Sequence, residues 1–474
     1  AYFVVRLDGT TKFGDNKRWG TCPAWSFRWK VGDEPGMKGA QKWLSMLSVR
    51  PGWGRVGSQP GAEYLFFSKY TATDSYNGAN SIYPSNIRLS NLQWEEKETW
   101  NVGFDLGLFD NRVTADFNIY TQMTSKLLMT NVNIPSSSGF PSLSWTNVGK
   151  MRNNGWEFNI NGTDVVKVGK FRLGFNVTFA NNKNEIVEME PTALANLNKD
   201  FDNNNGSYLT RVQLNNPFGA IYGFRYKGVY QYSDYSEVEV PGVSGPNAPV
   251  ARDENGTVIR DKAGFTIPMV FGYDKITNTE LYEFQGGDAI YEDINHDGNI
   301  NELDIVYLGS SLPKITGGWG LKFSYGRWSL NAQFNFRAGN KVVNRARMDA
   351  ESMHNNNNQA ASVNWRWRTE GQLAEIPRAL YNKGFNYLGS DRFVEDASFM
   401  RLNYLSLGYS LDPKLLRRIG VASLSINLNA SNLFCLTNYS GADPEVGYGG
   451  MGVATDGAKT PRSRQFTARV QIGF

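Results

Sequence analysis

"RWSLNAQFNFR", residues 327–337, alternates along its whole length. Trp328, Leu330, Ala332, Phe334 and Phe336 fall on one side of an extended chain, and Ser329, Asn331, Gln333 and Asn335 on the other. "RQFTARVQIGF" at 464–474, "SLSINLNAS" at 423–431, "KFRLGFNVTFA" at 170–180 and "RVTADFNIY" at 112–120 repeat the design. A soluble β-sandwich also alternates, so alternation alone does not identify the solvent. The polar side here is mostly Asn, Ser, Thr and Gln, which suits a watery lumen, and the aliphatic and aromatic side suits lipid.

Connection lengths separate the two cases. The pattern predicts about twelve strands, near 1–8, 22–31, 45–57, 93–108, 111–128, 152–163, 169–182, 314–324, 327–340, 398–411, 421–434 and 462–474. Tight joins such as "FDNR" (109–112), "SYGRW" (324–328) and the longer "LDPKLLRRIG" (411–420) alternate with long excursions. The largest excursions are about 183–313 and 341–397. Short turns on one rim and long loops on the other mark an outer-membrane barrel, whereas a sandwich has no reason to sort loops by parity. The expected fold is therefore all-β, a transmembrane antiparallel β-barrel. A last strand ending at Phe474 places the tight turns in the periplasm and the long loops outside. "GDEPGMKGAQKWLSM" (32–46) is then the one periplasmic turn long enough for a helical turn.

Composition agrees. Aromatic residues make up 14 % of 474 residues and Gly numbers 49, yet mean hydropathy is polar at −0.44, as two-faced strands require. No apolar run is long enough for a helical span. A net charge of +4 spread along the chain forms no basic stripe, so nucleic acid is not an expected partner. Two Cys exclude a disulfide framework. Two His, and no carboxylate pair in an acid–base setting, argue against an enzyme.

One loop has a ligand pattern. "DINHDGNINELD" (293–304) places Asp293, Asn295, Asp297, Asn299 (through its main chain) and Asp304 at calcium-loop positions, with Gly298 at the sharp reversal. No helix flanks it, and Asp304 stands where a bidentate Glu is usual. That favours a structural calcium ion over a sensor. An Asp/Asn-rich turn held by side-chain-to-backbone bonds has the same sequence. Aromatic clusters in "NWRWR" (Trp365, Trp367), "YLFFSKY" (64–70) and "AIYGFRYKGVYQY" (220–232) suit sugar or peptide stacking, but loop packing or an interfacial girdle accounts for most of them. "HNNNNQAASVN" (354–364) suits a polar loop tip.

"YEDINHDGNINELDIVYLGSSLPKITGGWGLKFSYGRWSLNAQFNFRAGN" (291–340) resembles the C-terminal barrel of SusC/RagA-type TonB-dependent transporters, outer-membrane importers of Bacteroidetes-type bacteria. So do "VRLDGTTKFGDNKRWGTCPAWSFRWKV" (5–31), "LSVRPGWGRVGSQ" (47–59), "LQWEEKETWNVGFDLGLFDNRVTADFNIY" (92–120), "NVGKMRNNGWEF" (147–158), "WRWRTEGQLAEIPR" (365–378), "VEDASFMRLNYLSLGYSL" (394–411) and the closing "TPRSRQFTARVQIGF" (460–474). The resemblance implies a barrel of about 22 strands around an N-terminal plug. Neither the plug nor a TonB box is recognisable, so the chain is expected to be the C-terminal half of a larger barrel. The resemblance further implies import of oligosaccharides or peptides, a SusD-like surface lipoprotein as lid, and TonB acting through the absent N-terminal region. A complete short barrel acting as a passive pore or scaffold of a surface complex, or a secreted β-rich carbohydrate-binding or glycanase module with structural calcium, would also carry these patterns.

Overall fold

The computed structural model describes residues 1–14, 17–61, 63–72, 82–140, 142–197, 212–235, 249–272, 281–417, 420–449 and 452–474. Its frame is one antiparallel sheet of twelve successive strands. In chain order these are β1 (Tyr2–Gly9), β2 (Trp19–Ser26), β3 (Leu44–Ser58), β4 (Glu95–Leu108), β5 (Val113–Asn133) and β6 (Ser142–Val168). Then follow β7 (Phe171–Glu188), β8 (Ile315–Tyr325), β9 (Trp328–Ala338), β10 (Phe399–Ser410), β11 (Ser423–Ser431) and β12 (Gln465–Gly473). Each pairs with its neighbour in sequence, and a short strand, Cys435–Thr437, also pairs with β10. The sheet is open: among the described residues β1 pairs only with β2, and β12 only with β11.

Registers show why alternation forced this frame. Val49, Phe104, Phe117, Phe158 and Phe179 lie side by side across β3–β7. One residue along, Ser48, Asp105, Asp116, Asn159 and Thr178 form the matching polar row. Farther round, Leu330, Leu407, Leu428 and Ala468 align on the apolar face, and Asn331, Ser406, Asn429 and Thr467 on the polar one. A one-residue slip in any strand would break both rows at once. Among the described residues the apolar face is left open: Trp100, Ile119, Leu428 and Val470 are all about half exposed.

Joins at one end are tight: 109–112, 169–170 and 326–327 link β4–β5, β6–β7 and β8–β9. Gly326, with φ +60°, permits the last of these reversals. The 27–43 join carries three short 3-10 turns, Val31–Asp33, Pro35–Met37 and Ala40–Lys42. The opposite end holds 59–94, 189–314, 339–398 and 432–464.

Two details depart from expectation. β6 starts at Ser142, ten residues before the predicted boundary, and β5 runs on to Asn133, so this hairpin continues past the rest of the sheet. Lys126 sits at φ +58° and the register shifts at Lys150/Met151, which flips the phase of alternation and hides the continuation. Consequently the 134–141 join, like 10–18, is short although it lies at the long-loop end.

The long loops form a cap with its own apolar core. Tyr222, Phe224, Phe271, Phe284, Ala289, Tyr291, Ile300 and Leu388 are buried together there. A second cluster, Phe13, Leu65, Phe66, Leu89 and Leu92, ties the 10–18 and 59–94 joins to the extended hairpin through Leu128, Leu143 and Trp145.

Candidate functional site

The cap and the polar sheet face carry the chain's main polar clusters. On the sheet face, Asp105 of β4 links β3 and the 27–43 join. It accepts from Ser48 Oγ (2.7 Å), Arg50 Nε (3.0 Å) and Arg28 Nη2 (3.1 Å). Beyond it runs a ladder of amides: Gln333 Nε2 donates to Asn176 Oδ1 (3.2 Å) and Asn331 Oδ1 (3.1 Å), and Tyr404 Oη donates to Asn429 Oδ1 (2.8 Å). Such a wall offers a solute donors and acceptors with little net charge.

In the cap, the 293–304 loop is a nest of side-chain-to-backbone bonds. Asp293 Oδ2 accepts from Gly298 N (2.8 Å) and Oδ1 from Asp297 N (3.3 Å). Asn295 Oδ1 also accepts from Asp297 N (3.2 Å), Asn295 Nδ2 donates to Asp297 Oδ2 (3.0 Å), and Asp297 Oδ1 accepts from Asn299 N (2.8 Å). Asp304 is fully buried, and its oxygens accept from Ile294 N (2.8 Å) and Asn301 N (2.9 Å), so it staples the two ends of the loop. Gly298 turns at φ +81°, and a Cβ there would lie 2.9 Å from Ala251 Cβ.

Burial, with the nearby charges of Asp293 and Asp297, pushes the Asp304 carboxyl up to about 6 despite its two amide partners. Asn299 Oδ1 is buried without a hydrogen-bond partner. The side-chain oxygens of Asp293, Asn295 and Asp297 are of the type a hard cation takes, whereas Asn299 Oδ1 faces Gly272, where an added Cβ would lie 3.2 Å away. Among the described residues, no three His, Cys, Asp or Glu side chains converge into a metal-binding cluster. The loop therefore brings Asp293, Asn295, Asp297 and Asn299 together, while Asp304 serves the backbone.

The loop rests on a feature that sequence reading missed. Arg252-Asp253-Glu254-Asn255-Gly256 and Arg260-Asp261-Lys262-Ala263-Gly264 repeat one turn eight residues apart. In each, the Asp Oδ1 accepts two backbone amides and the Arg Nη1 donates to the Gly carbonyl. Ala251, Ile259 and Ile267 close a ring of three backbone bonds, Ala251 N to Ile267 O, Ile259 N to Ala251 O and Ile267 N to Ile259 O. The recurring R-D-x-x-G was the available signal. His296 donates from Nδ1 to Arg252 O (3.1 Å), fastening the calcium-type loop to this turn pair.

Two polar clusters brace the cap. Buried Asp288 receives Arg378 Nε (2.7 Å), Tyr282 Oη (2.7 Å) and Asn386 Nδ2 (3.2 Å). Glu351 takes Arg392 Nη2 (2.7 Å) and Arg347 Nε (3.2 Å), and Arg347 also reaches Glu395 (3.2 Å). The aromatic clusters divide between core and surface. Tyr222, Phe224, Tyr230, Leu65, Phe66 and Trp367 are buried, whereas Trp365 is 78 % and Leu373 100 % exposed. The 354–364 segment is largely exposed and enters a 3-10 helix at Ala361–Trp365.

Comparison with known proteins completes the description. Residues 5–267 match the family described as TonB dependent receptor-like, beta-barrel. TonB-dependent receptor P39 of Formosa agariphila is 27 % identical over 99 % of this chain and 44 % of its own length. TonB-dependent receptor SusC of Bacteroides thetaiotaomicron is 25 % identical over 100 % of this chain and 42 % of its own length. Among solved structures, the RagAB peptide transporter aligns with TM-score 0.74 and 23 % identity, covering 100 % of this chain and 45 % of that one. The chain thus spans less than half the length of the relatives it matches.

Proposed function

This chain belongs to the TonB-dependent receptor β-barrel family and is an outer-membrane protein, and from that premise we propose that it forms the C-terminal wall and outer cap of an active importer. The supporting observation is the two-sided sheet: across β9–β12 a row of amides and hydroxyls backs an aliphatic one, and long loops gather at a single end. An open sheet edge is not viable in lipid. In this proposal further strands of the same barrel therefore flank β1 and β12, a plug occupies the lumen, and TonB acts on that plug.

The cap is the docking face for a SusD-like surface lipoprotein, with exposed Trp365 and Leu373 as contact candidates. Oligosaccharides or peptides are the proposed cargo, since the amide-lined wall suits uncharged, hydrogen-bonding solutes. The chain's own chemistry is binding and passage without covalent change. Calcium at Asp293, Asn295, Asp297 and the Asn299 main chain is proposed as a structural clamp within the cap. The test is uptake of labelled oligosaccharide and peptide pools by a deletion strain complemented with the full-length protein, with and without TonB. Uptake restored only with TonB supports the reading, and equal uptake in the deletion strain refutes it.

A further inference from the structure

The outer sheet face changes character toward the long-loop end. Reading across β3–β7, Val49, Phe104, Phe117, Phe158 and Phe179 give way to Pro51, Val102, Ile119, Trp156 and Asn181 one step up. The next step is Trp53, Trp100, Thr121, Asn154 and Lys183, and the step beyond is Arg55, Glu98, Met123, Arg152 and Glu185. Phenylalanine, then tryptophan, then charge is the order expected where hydrocarbon meets headgroups. At this boundary lies an open groove of about 960 Å³. Val102, Ile119 and Trp156 line its lower part, and Thr121, Asn154 and Lys183 its upper part. Trp25 and Trp100, with ring centroids 6.1 Å apart and nearly perpendicular planes, wall one side.

The upper half presents donors. Thr121 Oγ1 donates to Asn154 Oδ1, so the Asn154 group left for a ligand is its NH2. The Lys183 side chain is 72 % exposed and only loosely paired, with Nζ 3.8 Å from Glu185 Oε2. Glu185 is already matched by Arg152 Nη1 at 2.9 Å. One positive charge therefore stands in excess at the top of an apolar slot.

We infer that this groove is a specific site for a phosphorylated, acylated lipid of the surrounding leaflet, with an acyl chain between Trp100 and Trp156 and the phosphate at Lys183 and Asn154. A free phosphate has no use for the lower half, and an uncharged lipid none for the upper. The site rests on the barrel reading above, because it needs this face to lie in a membrane.

The test uses full-length protein in nanodiscs, with lipid occupancy read by native mass spectrometry. Probes are a diphosphorylated lipid A and its dephosphorylated counterpart. Parent protein is expected to retain the phosphorylated lipid at least several-fold over the other, and Lys183→Glu to abolish that preference. Inorganic phosphate should not displace the lipid. Lys183→Gln, which keeps the stem, should give an intermediate preference. Equal retention of both lipids by the parent, or an unchanged preference in Lys183→Glu, overturns the inference. Heat-modifiable migration of each variant, run in parallel, separates loss of the groove from failure of the barrel itself.

Discussion

Asp297 and Asp304 illustrate how one loop divides its carboxylates between backbone and ligand. Asp297 spends one oxygen on Asn299 N and the other on Asn295 Nδ2, and each oxygen keeps lone pairs for a cation. In the full-length protein, calcium is expected to protect the 249–305 region from proteolysis, and chelator to remove that protection. Asp297→Ala should be as sensitive without chelator as the parent is with it. Indifference of the parent to chelator would dismiss the ion. Asp304 sets the pH dependence. Its folded carboxyl titrates near 6, above the ordinary carboxylate value of about 4, so between those values the folded cap binds the extra proton. Cap stability without calcium should therefore fall as pH rises from about 4 to 6 and level off above. Calcium, by screening Asp293 and Asp297, should stabilise more at pH 7 than at pH 5. Hydrogen exchange of cap amides at both pH values, with and without calcium, measures this.

Single strands carry the next level of information, and most of it was legible in the sequence. Twelve alternating runs became twelve barrel strands with ends mostly within a few residues, because two-sided solvation leaves each residue only one acceptable face. Ile426 and Val470 lie directly opposite each other on the apolar face, and Ser425 and Gln471 on the polar one. Val470→Arg should cost about 2–4 kcal/mol near the membrane midplane and less toward its edge, while Gln471→Arg costs little. Folding yields of the two variants into vesicles, compared side by side, check it, and equal yields would reverse the orientation. What alternation did not disclose was the continuation of β5 and β6, where the left-handed Lys126 breaks its phase. The turn pair at 252–264 left a readable trace, its repeated R-D-x-x-G, whereas the Asp288 and Glu351 clusters were hidden. They join residues such as Asp288 and Arg378, ninety positions apart, and no local period encodes such a meeting.

At the scale of the whole molecule, sheet and cap are held by different physics. The sheet depends on lipid for its apolar face, whereas the cap has a core of its own and buried ion pairs. Arg378→Ala would leave the buried Asp288 charge uncompensated, a loss of about 3–5 kcal/mol. The expected result is rapid hydrogen exchange in the cap with heat-modifiable barrel migration preserved. Simultaneous loss of both would show that the cap is not a separate cooperative unit. The open sheet makes a second prediction. On the proposal that further strands lie between β1 and β12, paired cysteines at Val5 and Val470 should not cross-link in the full-length protein. A disulfide between them would instead close a small barrel.

The gathering of long loops at one end, over a core separate from the sheet, also bears on how such a protein changes over generations. A substitution at an exposed cap position such as Leu373 or Trp365 touches neither the strand registers nor the rows that face lipid. The surface of the cap can therefore vary in sequence while the scaffold beneath it stays fixed. Folding then sets few limits on what the cap surface presents, and those limits fall instead on the paired rows beneath it.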